Sequence, residues 1–322
     1  MRRLATGPIC RGPDHLDTRW EKAQYLIART RRLANKLLGL PATPQCATLA
    51  LMVSKLLEAT QARLGDEAVT AVVLTSPDRI RLTEEEIGDI LDHLKLRNLM
   101  KGPYSLYQLY ATSAAYAGHG KGLCRTYIDA YACESEESNL PQQRVLHVDF
   151  NMESLSGTIK SLQTAHDGSV DASFIDPDLG MRHKDVQRVS MTTDSDNSRQ
   201  YWTTISTRVE ELANSLNRVY MPHVTDLLLT GPFATDKRFQ AAIRTALHGL
   251  VAHDDVLAVL QDGNDTIRDQ DRRRSVFEFA TARGAAEIAK RRQEGPVNCA
   301  QSDECRRRRE HAHETRNLLN TQ

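Results

Sequence analysis

Residues 56–77 read LLEATQARLGDEAVTAVVLTSP, and residues 211–232 read ELANSLNRVYMPHVTDLLLTGP. Each stretch passes from a helical pattern through a turn into a short buried-strand pattern that stops at a proline. They share Val69/Val224, Thr70/Thr225, Leu74/Leu229, Thr75/Thr230 and Pro77/Pro232, an offset of 155 residues. A second echo follows. Tyr110-Ala111-Thr112 precedes Ala114 and Ala115, and Phe279-Ala280-Thr281 precedes Ala285 and Ala286, at an offset of 169 residues. An offset that grows by 14 is what an insertion in the second copy produces. Self-similarity at this spacing predicts a duplicated α/β unit. Two such lobes facing each other would form a cleft, the usual place for a ligand.

The surrounding sequence fills in the units. Trp20, Ala23, Ile27, Ala34, Leu37 and Leu38 fall at helical spacing, and Gly39 and Pro41 end the helix. Pro44 to Leu64 predicts a second helix with a stripe of Leu49, Met52, Val53, Leu56 and Leu57, closed by Gly65. Ala68–Thr75 predicts a buried strand. Thr83 with Glu86 is a capping box for a helix over Glu84–Leu96. Another helix is expected over Leu106–Ala117. Val145–Phe150, Leu155–Gln163 and Val170–Ile175 predict a strand meander, with Asp167-Gly168 at a tight turn. Helices over Tyr201–Tyr220, Asp236–Leu250 and Ser275–Arg292 and a strand over Val224–Thr230 complete the pattern.

Composition bounds the function classes. Of 322 residues, 40% are hydrophobic and 26% charged, which permits a sizeable core. Net charge is zero but unevenly spread: residues 1–40 hold nine Lys/Arg against three Asp/Glu, and residues 41–267 hold 20 against 30. Six cysteines at this length do not make a disulfide framework. No apolar run approaches the ~18 residues of a membrane span, and Met1–Gly12 lacks the apolar core of a secretory leader. The expectation is a cytoplasmic protein, with a nuclear location as the alternative, that binds neither membrane nor nucleic acid.

Ser113–Cys124 (SAAYAGHGKGLC) and Ser275–Arg292 (SVFEFATARGAAEIAKRR) resemble the first and second connecting helices of the actin / DnaK-chaperone / sugar-kinase ATPase superfamily. Leu49 to Cys305 as a whole is similar in order and spacing, and closest to the actin-like ATPase-domain proteins common in filamentous fungi. The resemblance implies a two-lobed, ribonuclease-H-like α/β fold with ATP and Mg²⁺ in the cleft. Residues 1–43 would be a basic helical extension, 44–144 a remnant of the first lobe, 145–296 the second lobe, and 297–322 a polar Arg-rich tail.

Active members need two glycine hairpins, whose backbone N–H groups approach phosphate while their aspartates hold the hydrated metal. Residues 1–43 hold no Asp-x-Gly, so the first hairpin is missing and the first lobe incomplete. Asp149 matches the metal-side aspartate of the second. The loop after it, Phe150-Asn151-Met152-Glu153-Ser154, has no glycine and an added acid. The adenosine turn keeps Gly231, but Pro232 and Phe233 stand where Gly and Ser are expected, and proline removes a donor. Lys101–Ser113 lacks the acid that touches the attacking water. The degenerate nucleotide-binding candidates are therefore Asp149, Asn151, Ser154 and Gly231, with no catalytic residue and no resident metal. The resemblance then implies a non-hydrolysing scaffold or interaction module with an unidentified protein partner and no cofactor. The alternative is residual ATP/Mg²⁺ binding or a weak ATPase of the chaperone type, in a chain whose 5′ exon lies outside this sequence.

Four further signals have plainer readings. Cys299, Cys305, His311 and His313 could hold zinc, but their spacing is wider than structural sites favour, and a solvated tail explains them. Arg306–Arg309 lacks the interleaved aromatics of a base-stacking surface. Cys124 and Cys133 are expected to be packing residues, and Gly284 to permit a close helix contact.

Overall fold

The computed structural model describes residues 18–65, 68–80, 82–101, 108–167, 170–182, 194–215, 223–260 and 267–295. The expectations for Cys299, Cys305, His311, His313 and Arg306–Arg309 lie outside these residues. The chain divides into two compact units, Met1–Leu109 and Tyr110–Gln322. The segment 110–144 thus clusters with the second sheet rather than with the helices before it.

In the first unit, α1 (Arg19–Leu37) starts at a capping box of Thr18 and Glu21, and α2 (Pro44–Leu64) starts at Thr43 with proline in its first turn. Only part of the stripe read from the sequence is used: Leu49 and Val53 of α2 pack with Cys46, Ala50 and Ile90, and Leu57 packs with Ile87, Leu91 and Leu96, whereas Met52 and Leu56 are exposed. The Thr83–Glu86 capping box forms and opens α3 (Glu84–His93). Ala68–Thr75 is not one strand. β1 (Ala71–Val72) pairs parallel with β3 (Arg97–Asn98), whereas β2 (Thr75–Ser76) pairs with β4 (Leu109–Tyr110). The switch falls at Leu74, whose carbonyl accepts from Leu109 N at 3.2 Å, so one ladder cannot run through.

The second unit is built on a four-stranded sheet in the order β7-β6-β5-β8. β5 (Gln143–Phe150), β6 (Leu155–Leu162) and β7 (Ala172–Asp176) form the expected antiparallel meander, and β8 (Asp226–Thr230) lies parallel to β5. Beyond it Val224 bridges in parallel to Val251. The helices are α4 (Ala111–Gly118), α5 (Ala130–Ser138), α6 (Asp194–Asn214), α7 (Lys237–Ala246), α8 (Ile267–Glu278) and α9 (Ala280–Glu294). The single helix expected over Ser275–Arg292 is two helices. Phe279 at φ −106°, ψ 10° breaks it, which re-aims α9 so that Ala280 and Gly284 meet α4. The first echo is matched in element order, while both copies of the second, α4 and α9, lie in the second unit. Each unit runs strand, helix, then a short parallel return: β1–α3–β3 in one, β8–α7–Val251 in the other.

Alternation along β5 gives the sheet two unlike faces. Leu146, Val148 and Phe150 join Ile205, Val209, Phe239 and Ile243 in the apolar core under α6 and α7. His147 points to the other face, toward α4, whose Thr112 bonds it. Among the described residues no helix is long and apolar enough to cross a membrane.

Candidate functional site

The C-terminal ends of the parallel pair β5 and β8 carry the site. Asp149 lies opposite Thr230 in the ladder, and Gly231 follows directly. Gly231 has φ +99°, and a Cβ there would stand 2.3 Å from the carbonyl oxygen of Phe150. Only glycine allows this turn to press so close on the end of β5. Asn151 and Ser154 sit in the loop that Asp149 opens. All four residues singled out from the sequence are therefore brought together.

Their bonding is largely internal. Asp149 Oδ1 accepts from Thr230 Oγ at 2.8 Å, and Oδ2 accepts from Asn151 Nδ2 at 2.7 Å. Asn151 Oδ1 in turn accepts from the backbone N–H groups of Glu153 and Ser154, at 2.9 and 3.0 Å. The N–H of Asn151 donates across the loop to Ser154 O at 3.2 Å. The loop is thus a closed Asx turn, whose donors face its own asparagine. The outer side of the loop is also held. Met181 N donates to Asn151 O and Arg182 N to Met152 O, at 3.0 and 2.9 Å, and the Arg182 guanidinium pairs with Glu153. Gly180 makes this contact possible, since a Cβ there would lie 2.4 Å from Ser154 N.

Beneath Asp149 runs a buried polar chain that sequence reading missed. Thr112 Oγ lies 2.9 Å from His147 Nδ1, and His147 Nε2 lies 2.8 Å from Thr230 Oγ. Thr230 gives its proton to Asp149, so it accepts from His147 Nε2–H. A neutral imidazole then accepts at Nδ1 from Thr112. The signal was available in the alternation of VLHVDF, which puts His147 and Asp149 on one face. On the same face Lys160 Nζ, fully buried, donates to Ser113 Oγ at 2.8 Å. A divalent ion at Asp149 would have to compete with the hydroxyl of Thr230 and the amide of Asn151 for the two carboxylate oxygens.

A second cluster lies apart from this one. Cys124 and Cys133, expected as packing residues, are joined in a disulfide; the sequence offered only their spacing. Glu137 stands beside them on α5, its Oε1 accepting from Cys124 N at 3.2 Å. Burial, more than any neighbouring charge, pushes the Glu137 carboxyl above its ordinary pKa. Compared with known proteins, the chain matches no family model, and no curated protein matches it.

Proposed function

We propose that this chain is a non-hydrolysing protein of actin-like fold that acts as an interaction or scaffold module. The sheet order β7-β6-β5-β8, with β8 parallel to the central strand, supports a ribonuclease-H-like lobe in the second unit. The close crossing of α4 and α9 through Gly118 and Gly284 supports their reading as the two connecting helices. The observation that carries the functional reading is the loop after Asp149. Its N–H groups at Glu153 and Ser154 are bound by Asn151 Oδ1 and are not available to a phosphate. Each missing charge-assisted bond removes about 1.5–3 kcal/mol. Three or four of them amount to most of a micromolar affinity of about 8 kcal/mol. The reading implies a protein partner, no resident cofactor, and a cytoplasmic location.

The test is thermal unfolding of the full chain with and without millimolar Mg-ATP, alongside an assay of phosphate release. A ligand at a hundredfold excess over Kd would stabilise the fold by about 2.7 kcal/mol. The expected outcome is no shift and no phosphate above blank. A saturable shift that vanishes in Asp149→Ala would replace this reading with residual nucleotide binding, which the placement of Asp149 beside Gly231 favours as the second choice.

A further inference from the structure

Cys133 and Glu137 lie four residues apart on α5, and so on one face of the helix. Cys124 comes from the segment before α5. The two sulfurs and one Glu137 oxygen all lie within 4.8 Å of one another, with Cys133 Sγ 3.8 Å from Glu137 Oε1. His166 Nε2 is 3.9 Å from the same oxygen. In a tetrahedral zinc site with bonds of 2.0–2.3 Å, ligand atoms stand about 3.3–3.8 Å apart. The Cys133–Glu137 separation already matches that spacing; the sulfur pair is too close, because it is bonded, and His166 stands at the edge of the cluster. We propose that reduction of the Cys124–Cys133 disulfide creates a zinc site whose protein ligands are Cys124, Cys133 and Glu137.

The surroundings suit the ion. The three residues line one open groove of about 430 Å³, with His166 on its wall, which gives the metal a way in. Glu137 is oriented by the N–H of Cys124, as metal-binding carboxylates usually are by outer partners. Two thiolates and a carboxylate carry three negative charges, and Zn²⁺ leaves one. Arg292 on the same groove wall balances it, and Arg291, paired with Glu287, donates to Cys124 O at 3.1 Å. The chemistry closes in two steps. A dithiol reductant transfers two electrons and two protons to the S–S bond, giving two protein thiols and the oxidised cyclic disulfide of the reductant. Zn²⁺ then displaces the two thiol protons. In a reducing compartment the thiol form prevails, so the metal would be held there and released on oxidation.

Titration of the reduced full chain with Co²⁺ under anaerobic conditions tests this. Expected are one equivalent bound, tetrahedral visible bands, a thiolate-to-cobalt charge-transfer band, and displacement by Zn²⁺. The disulfide-bonded chain should show none of these, a comparison that needs no variant and carries no folding risk. Cys299→Ser/Cys305→Ser should leave the spectrum unchanged. Glu137→Gln should weaken binding at least about tenfold, and Cys124→Ser/Cys133→Ser should abolish the charge-transfer band. Absence of that band in the reduced chain overturns the proposal. So does its persistence in the oxidised chain or in the Cys124→Ser/Cys133→Ser variant.

Discussion

Two glycines at helical positions carry opposite expectations. At Gly284 a Cβ would stand 1.7 Å from Ala114 O, and at Gly118 1.9 Å from Ala280 O. Both neighbours are backbone and cannot swing aside, so α4 and α9 would have to separate. Gly284→Ala should lower stability by about 1–3 kcal/mol or more, the range for overpacking a tight contact. Gly88, inside α3, has nothing within 4 Å of its would-be Cβ. Gly88→Ala should raise stability by about 0.5–1 kcal/mol, the helix propensity difference. Denaturant unfolding of the two variants reads both signs; a neutral Gly284→Ala would mean that the helices do not touch there. The need for a small residue at Gly284 was legible in the sequence, because a glycine inside a helix is unfavourable without a reason. Its counterpart Gly118 was not, since it stands at a helix end, where a glycine needs no contact to explain it.

Elements with local signals were legible, and their docking was not. The start of α3 followed from Thr83 and the ends of α1 and α2 from Gly39 and Gly65, all of which act through the chain beside them, whereas the caps Thr18 and Thr43 went unread and α3 stops at His93, short of Leu96. The apolar positions of α1 suggested a packed stripe. Instead no α1 residue is buried, and Trp20, Ile27 and Leu37 are largely exposed. Charge anchors the helix: Arg32 Nε reaches Asp89 Oδ2 at 2.5 Å, and Lys36 Nζ reaches Asp89 and Asp92 at 2.9 Å each. Contacts of 53 to 57 residues in separation leave no local trace. Screening should therefore loosen α1. At ~1 M salt, where the Debye length is ~3 Å, hydrogen exchange over 19–37 should accelerate while α3 stays protected. Asp89→Asn should have the same effect at low salt. Slow exchange of α1 under both conditions would show that apolar contact holds it.

For the whole molecule, pH exposes how the second unit is assembled. His119, just after α4, is pushed down from 6.5 to about 4 by burial first, then by the charges of Lys121, His147 and Arg283. Its Nε2 is buried without a hydrogen-bond partner, so protonation there would bury an unmet donor. Between those two values the unfolded chain binds a proton that the folded chain refuses. The stabilisation is complete above pH 6.5 and is lost as pH falls toward 4, by about 3 kcal/mol. Melting of the wild type should drop between pH 7.5 and 4.5 more than that of His119→Leu; equal drops would contradict it. The sheet that assembles this unit was legible through its strand alternation, and Asp149, Asn151, Ser154 and Gly231 were legible as a group. The chain of Thr112, His147 and Thr230 was not, because its members meet only when three separate elements close. The two-faced strand β5 has one more consequence. A slip of one residue against a neighbour would thrust His147 and Asp149 among Phe239 and Ile205 and lift Phe150 out of them. Both faces reject the error together. A misaligned strand finds no resting place, and the centre of the fold proofreads its own alignment as it forms.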